Sequence, residues 1–244
     1  MSRMSEWFRL PRLLPPFSAL LLLSVLPVIT GSCGSDAYDT GQGQLSGLRA
    51  DFAEAATDAS SLIVSVETDD GEELPLTGAV EAAWAERPDT VYRVLLYYEK
   101  ETSADGTAYA RPISLQQVLV PPIVGAGNVD GEIRTDPVDF DTSWKSRNGK
   151  YLNLGLYLKI GTTDGDYGTQ SIGLICDSVV VRADGTRRVA LRLYHDQNGV
   201  PEYYSAETYV SIPVAALPIQ PAEGDEVSID INTYDGVVTR MFSL

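Results

Sequence analysis

Two cysteines and one histidine are the only thiol and imidazole groups among the 244 residues, so their positions bound the chemistry available. Cys33 ends the run Thr30-Gly31-Ser32-Cys33, which follows the apolar stretch Leu13 to Ile29 and an N-region carrying Arg3, Arg9 and Arg12. A basic start, an apolar stretch and small residues before a cleavage point mark an exported precursor. Pro15, Pro16 and Pro27 interrupt the stretch, whereas a permanent span needs about 20 continuous apolar residues. Cleavage after Ser32 is therefore expected, with the Cys33 thiol receiving a lipid that anchors the chain at a membrane. Thr30 stands where an aliphatic residue is usual in such sites.

With Cys33 acylated, Cys176 has no intrachain partner. It alternates with Ile172 and Leu174, and that phase assigns it to the buried face of a strand as a small apolar residue. His195 is followed by Asp196, two parts of a Ser-His-Asp set. No Gly-x-Ser-x-Gly turn accompanies them, and His195 keeps phase with Leu191 and Leu193, so a hydrogen-bonding role at a strand end is expected. No catalytic residue is assigned, and the chain is read as a non-enzyme. Three or four His or Cys ligands for zinc cannot be assembled. The acidic groups Asp69, Asp70, Glu72 and Glu73, and Asp164 with Asp166, do not follow the twelve-residue calcium loop, so solvated turns are expected and no metal or cofactor is assigned. Tyr151, Tyr157, Tyr194, Tyr203 and Tyr204 remain as a candidate surface. Their rings could stack on a glycan or anchor a protein partner, or pack against another domain.

Those residues need strands to hold them, and the chain is rich in strand signals. At 44% hydrophobic it can build a core. Eighteen basic against 34 acidic side chains give a formal charge of −16, which becomes about −18 once residues 1–32 are removed. Phosphate backbones are repelled by such a surface, so nucleic acid is not an expected partner. Residues 33–44 read as a polar tether. Between 45 and 120, Leu62 to Glu67, Asp70-Gly71, Glu73 to Leu76, Val91 to Lys100 and Tyr109 to Val120 predict strands and tight turns. Ala79 to Glu86 has helical composition. The sum is a five-stranded OB-like barrel. Residues 121–136, with Pro121-Pro122 and three glycines, read as a linker.

From 137 to 244 the alternation is cleaner. Leu152, Leu154, Leu156, Leu158 and Ile160 share one face of a strand, with Tyr151, Asn153, Tyr157 and Lys159 opposite. Val189 to Leu193 and Val227 to Ile231 repeat the pattern. Asn148-Gly149, Asp184-Gly185, Asn198-Gly199 and Asp235-Gly236 fall between runs, where hairpins need positive φ. About seven antiparallel strands in this length predict a two-sheet β sandwich, and the whole fold is all-β.

Trp144, the run Asn148 to Leu154, the segment Leu191-Arg192-Leu193-Tyr194-His195-Asp196 and Ile231-Asn232-Thr233-Tyr234 resemble NigD-like proteins. Arg49 to Phe52 and Tyr92 to Tyr98 resemble the N-terminal half of that family. The resemblance implies a lipoprotein of Bacteroides or its relatives, with an OB-like domain before a β sandwich, held at the outer membrane or cell surface. Ser35-Asp36 after Cys33 partly resembles the acidic surface-export signal of the Bacteroidetes. A non-enzymatic binding or interaction module follows as the expected function. The family name also implies a bacteriocin system, as effector or immunity factor, and strand exchange between such domains would build a surface fibre.

Overall fold

The computed structural model of the chain describes residues 8–9, 47–162 and 168–244. The expected signal peptide, apart from a two-residue strand β1 (Phe8–Arg9) paired with β10, lies outside the described residues, as do Cys33 and the tether. Five strands then close on themselves: β2 (Leu48–Thr57), β3 (Ile63–Thr68), β4 (Glu73–Val80), β5 (Val91–Thr102) and β6 (Ala108–Gln117) run in the order β2-β3-β4-β6-β5. Closure between β5 and β2 is antiparallel and β4 meets β6 in parallel, so the barrel is the expected five-stranded OB-like one. Alternation decides what fills it: Ala53, Ala55, Ile63, Val66, Leu74, Val94 and Leu96 all point inward.

No helix forms over Ala79 to Glu86. Strand β4 runs on to Val80 and a turn follows, with the Ala85 N–H donating to the Ala82 carbonyl at 2.9 Å. Helical composition loses here because burying Ala85 and packing Trp84 edge-on against Tyr92, at 5.6 Å between rings, needs a tight turn. The Tyr92 hydroxyl accepts the Arg87 N–H at 2.9 Å, satisfying a donor that a helix would otherwise use.

Within the expected linker, β7 (Ile123–Gly125) lies parallel to β10. Seven longer strands follow: β8 (Asp139–Lys145), β9 (Tyr151–Ile160), β10 (Ser171–Val181), β11 (Arg187–Asp196), β12 (Tyr204–Pro213), β13 (Glu226–Thr233) and β14 (Gly236–Ser243). They form two sheets, β12-β9-β8 and β1-β10-β11-β13-β14 with β7 beside β10. Pairing is antiparallel except that β13 runs parallel to β11 and β7 to β10. Asn148-Gly149, Asp184-Gly185 and Asp235-Gly236 connect strands that pair with each other, β8 with β9, β10 with β11 and β13 with β14; Asn198-Gly199, with φ of 49° and 70°, turns the chain from β11 in one sheet to β12 in the other and forms no hairpin. Among the described residues no helix is long and apolar enough to cross a membrane.

The sandwich core is built from Leu152, Leu154, Leu156 and Leu158 on one side and Leu174, Leu191, Leu193, Ile229 and Ile231 on the other. Yet β9 is buried on both faces: Asn153, on the face opposite the leucines, is 0% exposed. The barrel covers that face, so the three-stranded sheet is the middle layer of the molecule. Gly155 leaves room for its neighbours within this sheet, since a Cβ there would meet Cγ2 of Thr142, its partner on β8, at 2.9 Å. Leu156, fully buried in this layer, should cost about 2–5 kcal/mol when truncated to Ala. A drop in the urea midpoint of unfolding would register it; an unchanged midpoint would contradict the layered core.

Candidate functional site

Arg93 sits inside the apolar run Val91 to Tyr98 of β5 and is 4% exposed. Its guanidinium grips Asp69, at the end of the barrel's β3, with Nη1 to Oδ1 at 2.6 Å and Nη2 to Oδ2 at 2.7 Å. The same group crosses to the sandwich: Nε donates to Ser211 Oγ at 3.1 Å and Nη2 approaches Asn153 Oδ1 at 3.4 Å. Ser211 Oγ in turn donates to Asn153 Oδ1 at 2.6 Å. The guanidinium also lies 4.0 Å from the centre of the Tyr151 ring. Planar geometry lets one arginine do all of this at once, which a lysine could not.

Around this centre the domains are joined by both polar and aromatic contacts. Tyr151 donates its hydroxyl to Glu54 Oε1 at 2.7 Å, and Lys150 reaches Glu54 and Glu67 at 2.8 and 2.7 Å. Burial alone would raise the Glu54 carboxyl, but hydrogen bonds from Lys150 and Tyr151 take it below its ordinary value of 4.5. Burial and the Glu54 carboxylate together push the Tyr151 hydroxyl upward, so it stays a donor. Phe52 of the barrel meets Tyr209 and Trp144 of the sandwich edge-on, at 5.1 and 5.2 Å. The backbone joins in, with the Asn148 N–H donating to the Asp69 carbonyl at 2.9 Å.

Beside this interface a groove of about 400 Å³ opens between barrel and sandwich. Trp84, Leu95 and the chain Gln116 to Leu119 form one wall; Leu158, Ile160 and Ala206 to Tyr209 form the other. Glu207 is its single charged lining residue, and its Oε1 accepts the Tyr209 hydroxyl at 2.7 Å. A concave, mostly apolar surface with a few amides and hydroxyls is suited to holding a ligand by contact and hydrogen bonds.

The five candidate tyrosines are not brought onto one face. Tyr151 lies in the domain interface, Tyr157 is half-buried on β9, and Tyr194 is buried on β11 of the other sheet. Tyr203 and Tyr204 are each 68% exposed, with ring centres 6.5 Å apart. Arg93 and the groove were not among the residues singled out from the sequence. An isolated arginine within an apolar strand was the available signal, because a charge there must find a buried partner. The groove left none, since its two walls come from segments 39 to 125 residues apart.

His195 is 1% exposed, with Nδ1 3.0 Å from the Asp136 carbonyl oxygen and Nε2 2.9 Å from Gln170 Oε1. Both neighbours are acceptors, so the neutral ring donates its single N–H to one of them at a time, in keeping with the hydrogen-bonding role at a strand end read from the sequence. Cys176 packs partly buried against the sandwich core, and burial raises its thiol, which suppresses the reactive thiolate. Asp69, Asp70 and Glu72 of the first acidic group pair with Arg93, Arg147 and Lys100. Among the described residues no group of three or more His, Cys, Asp or Glu is placed to hold a metal; Asp164 and Asp166 lie outside them.

An OB-like barrel fused through a buried arginine to a β sandwich defines the class: a two-domain all-β protein. The sequence pattern of the NigD-like C-terminal beta sandwich domain matches residues 121–244, and the chain belongs to that family. A NigD-like immunity protein from Bacteroides caccae is similar at 27% identity and a TM-score of 0.59, over 79% of this chain and 91% of that one. A toxin-related protein from Parabacteroides distasonis shares the fold at 19% identity and a TM-score of 0.59, over 81% and 93% of the two chains. A Bacteroides fragilis protein described as a lipoprotein shares it at 12% identity and a TM-score of 0.55, over 80% and 96%. No curated protein matches.

Two variants test this account. Arg93→Ala strands Asp69 beneath the interface and should cost about 3–5 kcal/mol in denaturant unfolding; a loss below about 1 kcal/mol would contradict the central role of the pair. His195 is the only histidine, and burial lowers its pKa below the ordinary 6.5. The unfolded chain therefore binds a proton that the fold resists. Stability should fall as pH drops below 6.5, before the carboxylates near 4.5 take over. In His195→Gln that part of the pH dependence should vanish.

Proposed function

We propose that the protein is a non-enzymatic binding module, tethered to the outer membrane or cell surface through lipid on Cys33, with its ligand seated between the two domains. The observation that carries this reading is the groove of about 400 Å³ beside Arg93, lined by apolar side chains, amides and a single carboxylate. Its supporting wall is rigid, because Arg93 ties β5 to β9 and β12, and a preformed site spares a ligand the cost of ordering it. Trp84 and Tyr209 offer ring surface, Gln116 and Gln117 offer both donors and acceptors. Such chemistry serves a glycan or a protein ligand. Anchoring is supported by the leader pattern ending in Gly31-Ser32-Cys33 and by the similar fold of a protein described as a lipoprotein.

A second reading, immunity within a bacteriocin system, is favoured by the 27% identity to a protein described as a NigD-like immunity protein. It is a special case of the first, in which the ligand is the toxin or its receptor.

Cys33→Ala should move the protein from the membrane to the soluble fraction and abolish palmitate labelling. Retention on membranes would overturn the anchor. The full chain, in detergent, should retain ligands on glycan arrays or in crosslinking to a partner protein, and failure in both would overturn the binding reading. For immunity, deletion of the gene should sensitise the producing cells, and unchanged self-protection would remove that reading.

A further inference from the structure

Strand β12 has one partner along its whole length and only a fragment of another. On one side it pairs with β9 from Tyr204 to Pro213. On the other, Leu119 alone adds to it: the Leu119 N–H donates to the Tyr209 carbonyl at 3.3 Å, and the Ser211 N–H donates to the Leu119 carbonyl at 2.8 Å. Residues 209 and 211 therefore turn their backbone groups outward, and by the period of two Ser205 and Glu207 do the same. Among the described residues, the backbone groups of Ser205 and Glu207 have no partner on that edge. The chain from Gln116 to Val118 does not continue beside them, because it swings to the barrel, where the Val118 N–H donates to the Arg93 carbonyl at 2.9 Å.

The result is a wedge with an open strand edge for one wall. It is the groove described above, and beside β12 it reaches Leu158 and Ile160 of β9. The layers are unequal: three strands, β12-β9-β8, face β10-β11-β13-β14 with β7 beside β10, even once cleavage of the leader removes β1, so a strand added next to β12 would have a sheet to cover. An occupant of this wedge must satisfy two requirements together, hydrogen bonds to an extended backbone and apolar side chains directed inward. A peptide strand does both; a glycan supplies no ladder of N–H and C=O groups.

Charge selects among peptides. The chain carries 34 acidic against 18 basic side chains. The groove's single charged residue is Glu207, and no Lys or Arg lines it. A negative field of this size draws cationic segments and repels anionic ones.

We propose that the open edge of β12 binds an extended, basic polypeptide segment of a partner protein by strand addition, with alternate apolar side chains entering the groove over Leu158 and Ile160. This rests on the binding-module reading and names its ligand class.

The test is selection on the full chain, purified in detergent, with a displayed library of random decapeptides, followed by affinity measurement on synthetic versions of those enriched. Enriched peptides should carry net positive charge and alternate apolar residues, and methylating alternate backbone amides should weaken them at least tenfold. Ala206→Trp, which fills the groove, and Glu207→Pro, which deletes one outward N–H while sparing the ladder to β9, should each weaken binding at least tenfold. Val237→Thr, on the far edge strand β14, should leave it unchanged. Variants are compared once their urea midpoints match the parent's; if one does not fold, the other carries the test. Enrichment of acidic peptides, or affinity indifferent to both groove variants and to methylation, would overturn the proposal. Oligosaccharide binding that Ala206→Trp abolishes, with no peptide enriched, would overturn strand addition while leaving the binding module standing. Silence with both probes would overturn the two together.

Discussion

The architecture depends on a charge removed from water. Arg93 leaves solvent inside a strand that otherwise reads as core, and the fold must return what hydration would have supplied. Asp69 provides the counter-charge in bidentate form, Ser211 and Asn153 provide oxygen acceptors, and Tyr151 provides a ring face. Barrel and sandwich each supply part of this set. Removing either domain would leave a buried guanidinium short of partners, so the cluster makes docking of the two domains part of the folding of each. A surface ion pair such as Lys150 with Glu54 adds at most about 1 kcal/mol; the buried one determines whether the layers stay together.

That arrangement also has an unmatched atom. Asn153 is fully buried with its Oδ1 committed to Ser211 and Arg93, and its Nδ2 has no partner among the described residues. An unpaired buried donor costs about 1–3 kcal/mol, tolerated here because Asn153 closes the polar cluster between two apolar layers. Rigidity follows, since every oxygen and nitrogen near Arg93 except that one is already engaged. The groove beside it therefore has one stiff wall, braced by the interface, and one open strand edge.

The chain also shows how an edge strand is managed. Sheet edges invite pairing, and proteins usually cover or charge them. Leu119 covers the upper half of the β12 edge as the chain passes from barrel to sandwich. Lower down, Ser205 and Glu207 leave it polar and negatively charged, which discourages other acidic copies of the same chain while leaving the backbone groups available.

Most of the architecture could be read locally. Period-two alternation in Leu152 to Ile160 and Val227 to Ile231, with Asn-Gly and Asp-Gly pairs between runs, determined seven sandwich strands and their turns, because pleat geometry and positive φ are properties of a few adjacent residues. The same reading erred at Ala79 to Glu86, where helix propensity lost to the burial of Ala85 and the packing of Trp84 on the barrel. It also treated the Tyr151 face as open to a ligand or another domain, and tertiary structure divided the tyrosines between an interface, a second sheet and the surface. Arg93 was visible as an arginine in an apolar strand, but nothing in its neighbourhood named Asp69, Ser211 or Asn153, which lie 24, 118 and 60 residues away. Alternation and turns are thus written in the sequence itself. Which faces stay wet, which charge is buried and where a groove opens were decided only when barrel and sandwich met, because those properties belong to pairs of surfaces distant along the chain.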